Sequence, residues 1–412
     1  MRQIDLREYE TSVYPLSDAH RDALLGEKKT LGLTVEPVIG KEGTYSLTPG
    51  STVGAVEIGD LSVLIRPKIG IPQLLSLACY AIGVYRSQED RLFNFEEQQA
   101  LPDTLALALA AMARRAFSRG LLHGYRTEEE ALHTVRGRIR FADQIRQRFG
   151  IPLPIEVRYD EFTEDITENQ LVKAAAFRLG RMRIRSQQAR KDLGRVAATL
   201  ENVSLAEFSP KAVPDVRFDR LNEHYRGVVG LSRLILRHGA LESNRGAVRA
   251  TGFLMDMNVL FQEFVTVALR EALGDSPYVL RSDKQLKENH RIYFAKSSRV
   301  KLEPDLTLWD GTKCLFVGDA KYKRVRVEGV PNADLYQLHA YITALNLPGG
   351  LLIYAQGETE TATYTVRNSG KRLEVVALDL RGSLDAVLKR VDFIADKIRE
   401  LHSEAQRLHP AA

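Results

Sequence analysis

Cysteine is nearly absent from this sequence: Cys79 and Cys314 are the only two in 412 residues. That excludes a disulfide framework and a cysteine-built zinc site, and a reducing cytoplasm is the expected compartment. Long apolar runs are missing as well. The longest nearly unbroken one, Leu74 to Tyr85, is too short to span a bilayer, and the opening "MRQIDLREYE" lacks the apolar stretch of a signal peptide. Repeats and low-complexity tracts are absent, so a water-soluble protein with no membrane partner is expected. Charge of one sign does not dominate: 58 Lys and Arg against 53 Asp and Glu leave +5, which permits a nucleic-acid partner without demanding one. A phosphate loop is lacking too. "NSGKR" ends in Gly370-Lys371, but Thr365 stands where the first glycine belongs and Arg372 replaces the Ser or Thr. Any nucleotide-driven step therefore belongs to another protein.

What is present describes a globular chain: 44% hydrophobic and 27% charged residues. A chain of 412 residues is too long for one typical core, so two or three domains are expected. Residues 1–100 read as mostly strand, because "TYSLTPGSTVGAVEIGDLSVLIRPKIG" alternates apolar and polar residues between turn signals. Residues 101–245 read as mainly helical and basic, from "LPDTLALALAAMARRAFSRGLL" to the helix begun at Leu231. A short strand, "TVRGRIRF", interrupts them, with Arg136, Arg138 and Arg140 alternating along it. Further on, Arg178, Arg181, Arg185 and Lys191 share a broad basic helical face. The main boundary is placed near residue 245. Residues 246–412 then run helix (Met255 to Leu273), strand hairpin, helix (Asn332 to Leu345), strand, two more strands and a long amphipathic helix, an α/β sandwich pattern. The fold class is thus a multidomain α+β and α/β chain.

The chemistry concentrates in "EPDLTLWDGTKCLFVGDAKYKR", residues 303 to 324. Cys314 to Val317 is wholly apolar, as in a central strand covered on both faces. Asp319 and Lys321 follow two residues apart, so both leave one face. Loop length decides whether Asp305 joins them. A two-residue turn pairs Trp309 with Thr312 and sends Asp305 and Asp319 to opposite faces. A three-residue loop with Gly311 left-handed pairs Trp309 with Lys313, sets Asp305 opposite Val317, and makes Asp319 its diagonal neighbour at about 7–8 Å. Convergence therefore predicts an odd-length loop or a bulge. Two carboxylates so placed suit Mg²⁺, which takes oxygen ligands and keeps several waters. The plain alternative is that charges at strand ends are solvated punctuation. Pro-Asp occurs also at Pro102-Asp103 and Pro214-Asp215, so the spacing alone is a weak signal.

Pro304-Asp305 followed by Asp319-Ala320-Lys321 resembles the PD-(D/E)xK nuclease superfamily. "GDAKYKR", with "FLMDMNVLFQEFV" upstream, resembles the McrC family, the nuclease subunit of McrBC-type modification-dependent restriction systems. "VEIGDLSVLIRPKIG", "VRGRIRF" and "TEDITENQLVKAAAFRL" agree, so the likeness touches most of the chain. It implies a C-terminal restriction-endonuclease-like α/β domain that hydrolyses phosphodiester bonds of double-stranded DNA, not a small molecule. Asp305, Asp319, Glu263 and the Ala320 carbonyl would hold Mg²⁺, with Mn²⁺ able to substitute. Lys321 would be the catalytic lysine, and Gln337 and Tyr341, four apart on a helix, match the Gln-x-x-x-Tyr motif. The likeness also implies docking of the N-terminal region on a hexameric McrB-like AAA+ GTPase, with residues 30 to 70 as a candidate finger. Arg136, Arg138, Arg140, Arg181 and Arg185 are candidates for DNA phosphates or an acidic partner surface, weighed against a plain solvated face. Besides a nuclease subunit, two readings remain open: an adaptor that mainly activates the motor, and a free-standing repair nuclease.

Overall fold

A computed structural model describes residues 2–81, 101–149, 151–238, 241–245, 248–274, 279–281, 291–294, 300–325, 330–357 and 361–408. The chain falls into two compact units, one of Met1–Glu97, Asn244–Arg249 and Leu254–Ala412, the other of Gln98–Ser243 and Ala250–Phe253. The N-terminal β region therefore shares a unit with the C-terminal α/β region. The boundary expected near residue 245 falls beside residues 246–247, which lie outside the described residues, as do residues 82–85 of the apolar run. No helix among the described residues is long and apolar enough to cross a membrane.

The first unit begins with strand β1 (Arg2–Arg7), later joined by β2 (Thr52–Ile58) and β3 (Leu61–Arg66). β1 runs parallel to β3, and β2 and β3 form the expected hairpin. Its alternation is that of a half-covered sheet: Ile4, Leu6, Val56, Ile58, Val63 and Ile65 are buried. Between β1 and β2 the chain adds a small sheet of Ser12–Pro15, Leu33–Pro37 and Thr44–Pro49. It also adds a helix, Asp18–Gly26, capped by the Ser17 hydroxyl accepting the His20 N–H. Reading residues 1–100 as mostly strand missed that helix, whose few apolar positions give a weak 3.6-residue period.

The C-terminal part of the unit is a six-stranded sheet. Helix α1 (Met257–Leu273) precedes β4 (Val279–Arg281), β5 (Leu306–Asp310) and β6 (Lys313–Val325). Helix α2 (Asn332–Ala344), β7 (Gly349–Gly357), β8 (Thr361–Thr365), β9 (Arg372–Ala377) and helix α3 (Leu384–Leu408) follow. The strand order is β4-β5-β6-β7-β9-β8, with β6, β7 and β9 parallel and the others antiparallel. β6 is central, as its apolar run predicts. Leu315 and Val317 pack with Leu338, Tyr341 and Ile342 of α2, and Phe261 of α1 stands 6.0 Å from Tyr322 between ring centroids. Helices thus cover both faces. The N-terminal strands are tied to α1 at its start: Met257 N–H donates to the Ser51 carbonyl at 2.9 Å, and the Ser51 hydroxyl to Asp256 at 3.0 Å.

The hairpin of β5 and β6 contains the expected bulge but not the expected loop. Asp310 pairs with Lys313 across a two-residue turn with Gly311 left-handed at φ +57°, and Trp309 pairs with Cys314, not Lys313. The register then slips by one, Leu308 facing Phe316, so Leu315 is the extra residue. Beyond the bulge Leu306 faces Gly318. Asp305 accordingly stands one step on, across from Asp319 rather than diagonal to it.

The other unit packs helices Leu101–Ala116, Thr167–Gly180, Gln187–Thr199 and Arg226–His238, and carries a small sheet ordered Gly124–Leu132, Ile155–Thr163, Arg138–Ile139. Two expectations are corrected here. "TVRGRIRF" is strand only at Arg138–Ile139, because Gly137 is left-handed at φ +71° and packs against Arg158; Arg140 stands just before the next helix, with no side-chain capping bond to it. The shared basic helical face does not form either. One helix ends at Gly180 and the next begins at Gln187, with Arg181 and Arg185 in the connection.

Within the six-stranded sheet, a Cβ on Gly349 would come within 2.8 Å of the Arg372 carbonyl, a backbone atom fixed by the β7–β9 pairing. Gly349→Ala is expected to cost about 1–3 kcal/mol, read as a lower midpoint in urea.

Candidate metal centre

β6 places the candidate residues by simple alternation. Leu315, Val317, Asp319 and Lys321 share the face toward α2, and Phe316 and Tyr322 the face toward α1. Asp319 is 1% exposed. Asp305 precedes β5, half-buried, and its Oδ2 accepts the Ala320 N–H at 2.9 Å. The Lys321 ammonium forms an ion pair with Asp319 Oδ2. The structure thus brings Asp305, Asp319, Ala320 and Lys321 into one cluster. Gln337 and Tyr341 lie beside it as a support: Gln337 Nε2 donates to the Tyr341 hydroxyl at 2.8 Å, which donates to the Glu303 carbonyl at 3.2 Å. That chain ties α2 to the segment leading into Pro304-Asp305.

Burial and mutual repulsion govern the charges. Burial and the Asp319 charge push Asp305 up to about 7, although the Ala320 N–H pulls the other way. Burial also raises Asp319, against the pull of Lys321. Burial opposes the charge on Lys321, but the Asp319 and Asp305 carboxylates more than offset it, so its pKa rises and the ammonium persists at neutral pH. Tyr341 is held above the ordinary tyrosine value by burial and then by Asp319. The donors are all oxygen and the carboxylates are crowded in a partly dry site, which fits a hard divalent cation. Among the described residues no three His, Cys, Asp or Glu side chains converge as a ligand group. The fit therefore rests on two carboxylates and water, a number that suffices for Mg²⁺.

Glu263 comes from a different element. It is half-buried on α1, and among the described residues it does not complete a three-ligand group with the carboxylate pair. The arginine candidates lie in the other unit. Arg136 stacks on Tyr159 at 4.0 Å and pairs with Glu161 at 3.4 Å, while Arg140 pairs with Glu129 at 3.0 Å and Asp143 at 2.5 Å. Arg138 and Arg185 are exposed, and exposed Arg181 approaches the Phe177 ring at 5.8 Å. Sequence reasoning missed Asp334, in the first turn of α2 and 6% exposed. Its Oδ2 accepts from Tyr354 and pairs with Lys323, each at 2.5 Å, and its charge also favours the Lys321 ammonium. The available signal was the same-face pair Lys321 and Lys323, which calls for a second acid nearby.

A family model described as the McrBC 5-methylcytosine restriction system component matches residues 47–355. The chain belongs to the McrBC family. This McrBC-family chain is also 25% identical over 313 residues to the type IV methyl-directed restriction enzyme EcoKMcrBC of Escherichia coli (strain K12), covering 71% of this chain and 88% of that protein. In fold it resembles a chain of the half-complex from the tetradecameric assembly of Thermococcus gammatolerans McrB AAA+ hexamers with bound McrC. The TM-score is 0.60 at 19% identity, over 96% of this chain and 100% of that one.

Native Asp305 holds its proton more tightly than the unfolded chain does. Its stabilising contribution is therefore full below an ordinary carboxylate pKa of about 4 and is lost as pH rises toward the folded value of about 7. In metal-free buffer the stability of this McrBC-family chain should fall across that window by roughly 1 kcal/mol per pH unit, read as a falling thermal midpoint. Asp305→Asn should flatten the fall. A variant midpoint that drops as steeply as the parent's would assign the dependence to another group.

Proposed function

We propose that this chain is the nuclease subunit of its restriction system, a Mg²⁺-dependent endonuclease of the PD-(D/E)xK kind that hydrolyses phosphodiester bonds of double-stranded DNA. The observation that carries the reading is the pair of crowded carboxylates, Asp305 and Asp319, with a charged Lys321 against them on one face of a central strand. Asp305, Asp319 and the Ala320 carbonyl would hold the cation, and Mn²⁺ would serve in its place. Bound there, the cation would supply Lewis acidity and a bound water of lowered pKa. Lys321 acts as an ammonium: it faces developing negative charge on the phosphate oxygens and orients the attacking water, and its raised pKa unsuits it as a base at neutral pH. Tyr341 and Gln337 fix the approach of Asp305 by holding the Glu303 carbonyl.

The chain cuts when docked on a hexameric McrB-like AAA+ GTPase that selects modified DNA. Family membership and the lack of a phosphate loop in the sequence support this division of labour. The test is plasmid cleavage in Mg²⁺ by the purified chain, with and without that AAA+ protein and GTP. Cutting should need the partner, and Asp319→Ala and Lys321→Ala should each lower it by about 100-fold or more. Asp319→Ala cutting as well as the parent would assign that residue to structure alone. Stimulated GTP hydrolysis with no cutting of any methylated or unmodified DNA would make the chain an adaptor.

A further inference from the structure

Immediately after Lys321 the sheet is irregular. Lys321 lies opposite Tyr354 of β7, but Arg324 lies opposite Gln356, so Tyr322 and Lys323 together face the single residue Ala355. Two residues against one is a bulge, a device that re-aims side chains and leaves backbone groups without ladder partners. Here the partners come from the far end of the chain. The Tyr9 hydroxyl donates to the Tyr322 carbonyl at 3.0 Å, and the Tyr322 hydroxyl donates to Glu8 Oε1 at 2.9 Å.

Glu8 and Tyr9 are themselves firmly placed. Glu8 is 0% exposed, and its Oε1 also accepts the Lys68 N–H at 2.7 Å. Its own N–H donates to the Arg66 carbonyl at 3.1 Å, and that of Tyr9 to the Pro49 carbonyl at 2.9 Å. Tyr9 is left-handed at φ +59°, a conformation that costs a non-glycine residue about 1–2 kcal/mol. Such strain persists only where surrounding contacts impose it, and it concentrates at functional sites. A buried carboxylate and a strained tyrosine thus both hold Tyr322, the residue after the candidate catalytic lysine, one by its hydroxyl and the other by its carbonyl.

We propose that Glu8 and Tyr9 are positioning residues which hold the bulge at Tyr322–Lys323 and thereby set the Lys321 ammonium against Asp319. This rests on the nuclease reading above. It makes the turn that follows β1 part of the centre's scaffold, so the C-terminal sheet alone is not a competent nuclease.

The test uses the full chain with its AAA+ partner, GTP and Mg²⁺, and reads the single-turnover cleavage rate, DNA affinity and thermal midpoint of Tyr9→Phe, Glu8→Leu and Glu8→Gln. Tyr9→Phe and Glu8→Leu should slow cleavage by about 10- to 100-fold, as small misplacements of a catalytic group do, with DNA affinity unchanged. Glu8→Gln keeps an oxygen acceptor for Tyr322 and should stay within about threefold of the parent. If Glu8→Leu fails to fold, Tyr9→Phe, at a partly exposed position, decides. Parental rates in Tyr9→Phe overturn the proposal, and so does a rate loss in it that only follows a lowered midpoint or weaker DNA binding. A parent chain that cuts nothing removes the nuclease reading itself and the clamp with it, an outcome distinct from a cutting parent with indifferent variants.

Discussion

A carboxylate that is almost fully buried is costly unless something answers its charge, and Asp319 is 1% exposed. Much of the C-terminal sheet can be understood as the answer. Lys321 pairs with it from two residues along the same strand. Asp305 is brought beside it and raised in pKa. Asp334 adds a further negative charge that keeps Lys321 protonated, and is itself quieted by Lys323 and Tyr354. Removing Lys321 would leave Asp319 charged in the interior without its counterpart, and removing Lys323 would do the same to Asp334.

The sequence made the sheet's centre legible because one short apolar run, Cys314 to Val317, fixes a covered strand and alternation then fixes which charges share a face. The need for an odd-length loop or a bulge between β5 and β6 was legible for the same reason, since a plain two-residue turn sends the carboxylates to opposite faces. Which of the two forms was not legible: a glycine at Gly311 fits both a two-residue turn and a three-residue loop, and the bulge at Leu315 appears only in the folded register. Reading "TVRGRIRF" as a strand failed where a left-handed glycine breaks the chain, an effect of close packing against Arg158 that alternation cannot reveal.

Long-range partners were the least legible. Asp334 and Glu8 look like ordinary acids in sequence, and nothing local distinguishes them from solvated ones. Both are buried by contacts with residues far along the chain, so their character is a property of the fold. Grouping residues 1–100 apart from 246–412 was natural, because strands on each side have their own hairpin signals. Yet Ser51 bonds to the start of α1 and Glu8 to Tyr322, so the two ends form one unit.

The bond between Glu8 and Tyr322 joins residues 314 positions apart. Closing so long a loop is paid mainly in chain entropy, and such contacts form late in folding. During synthesis Glu8 leaves the ribosome long before Tyr322 exists. The clamp therefore waits on β6 and not on the N-terminal segment, and it can close once Tyr322 has been made. A chain that stops short of Tyr322 carries Glu8 and Tyr9 with nothing to clamp, so the two are among the first residues made and among the last to find their partner.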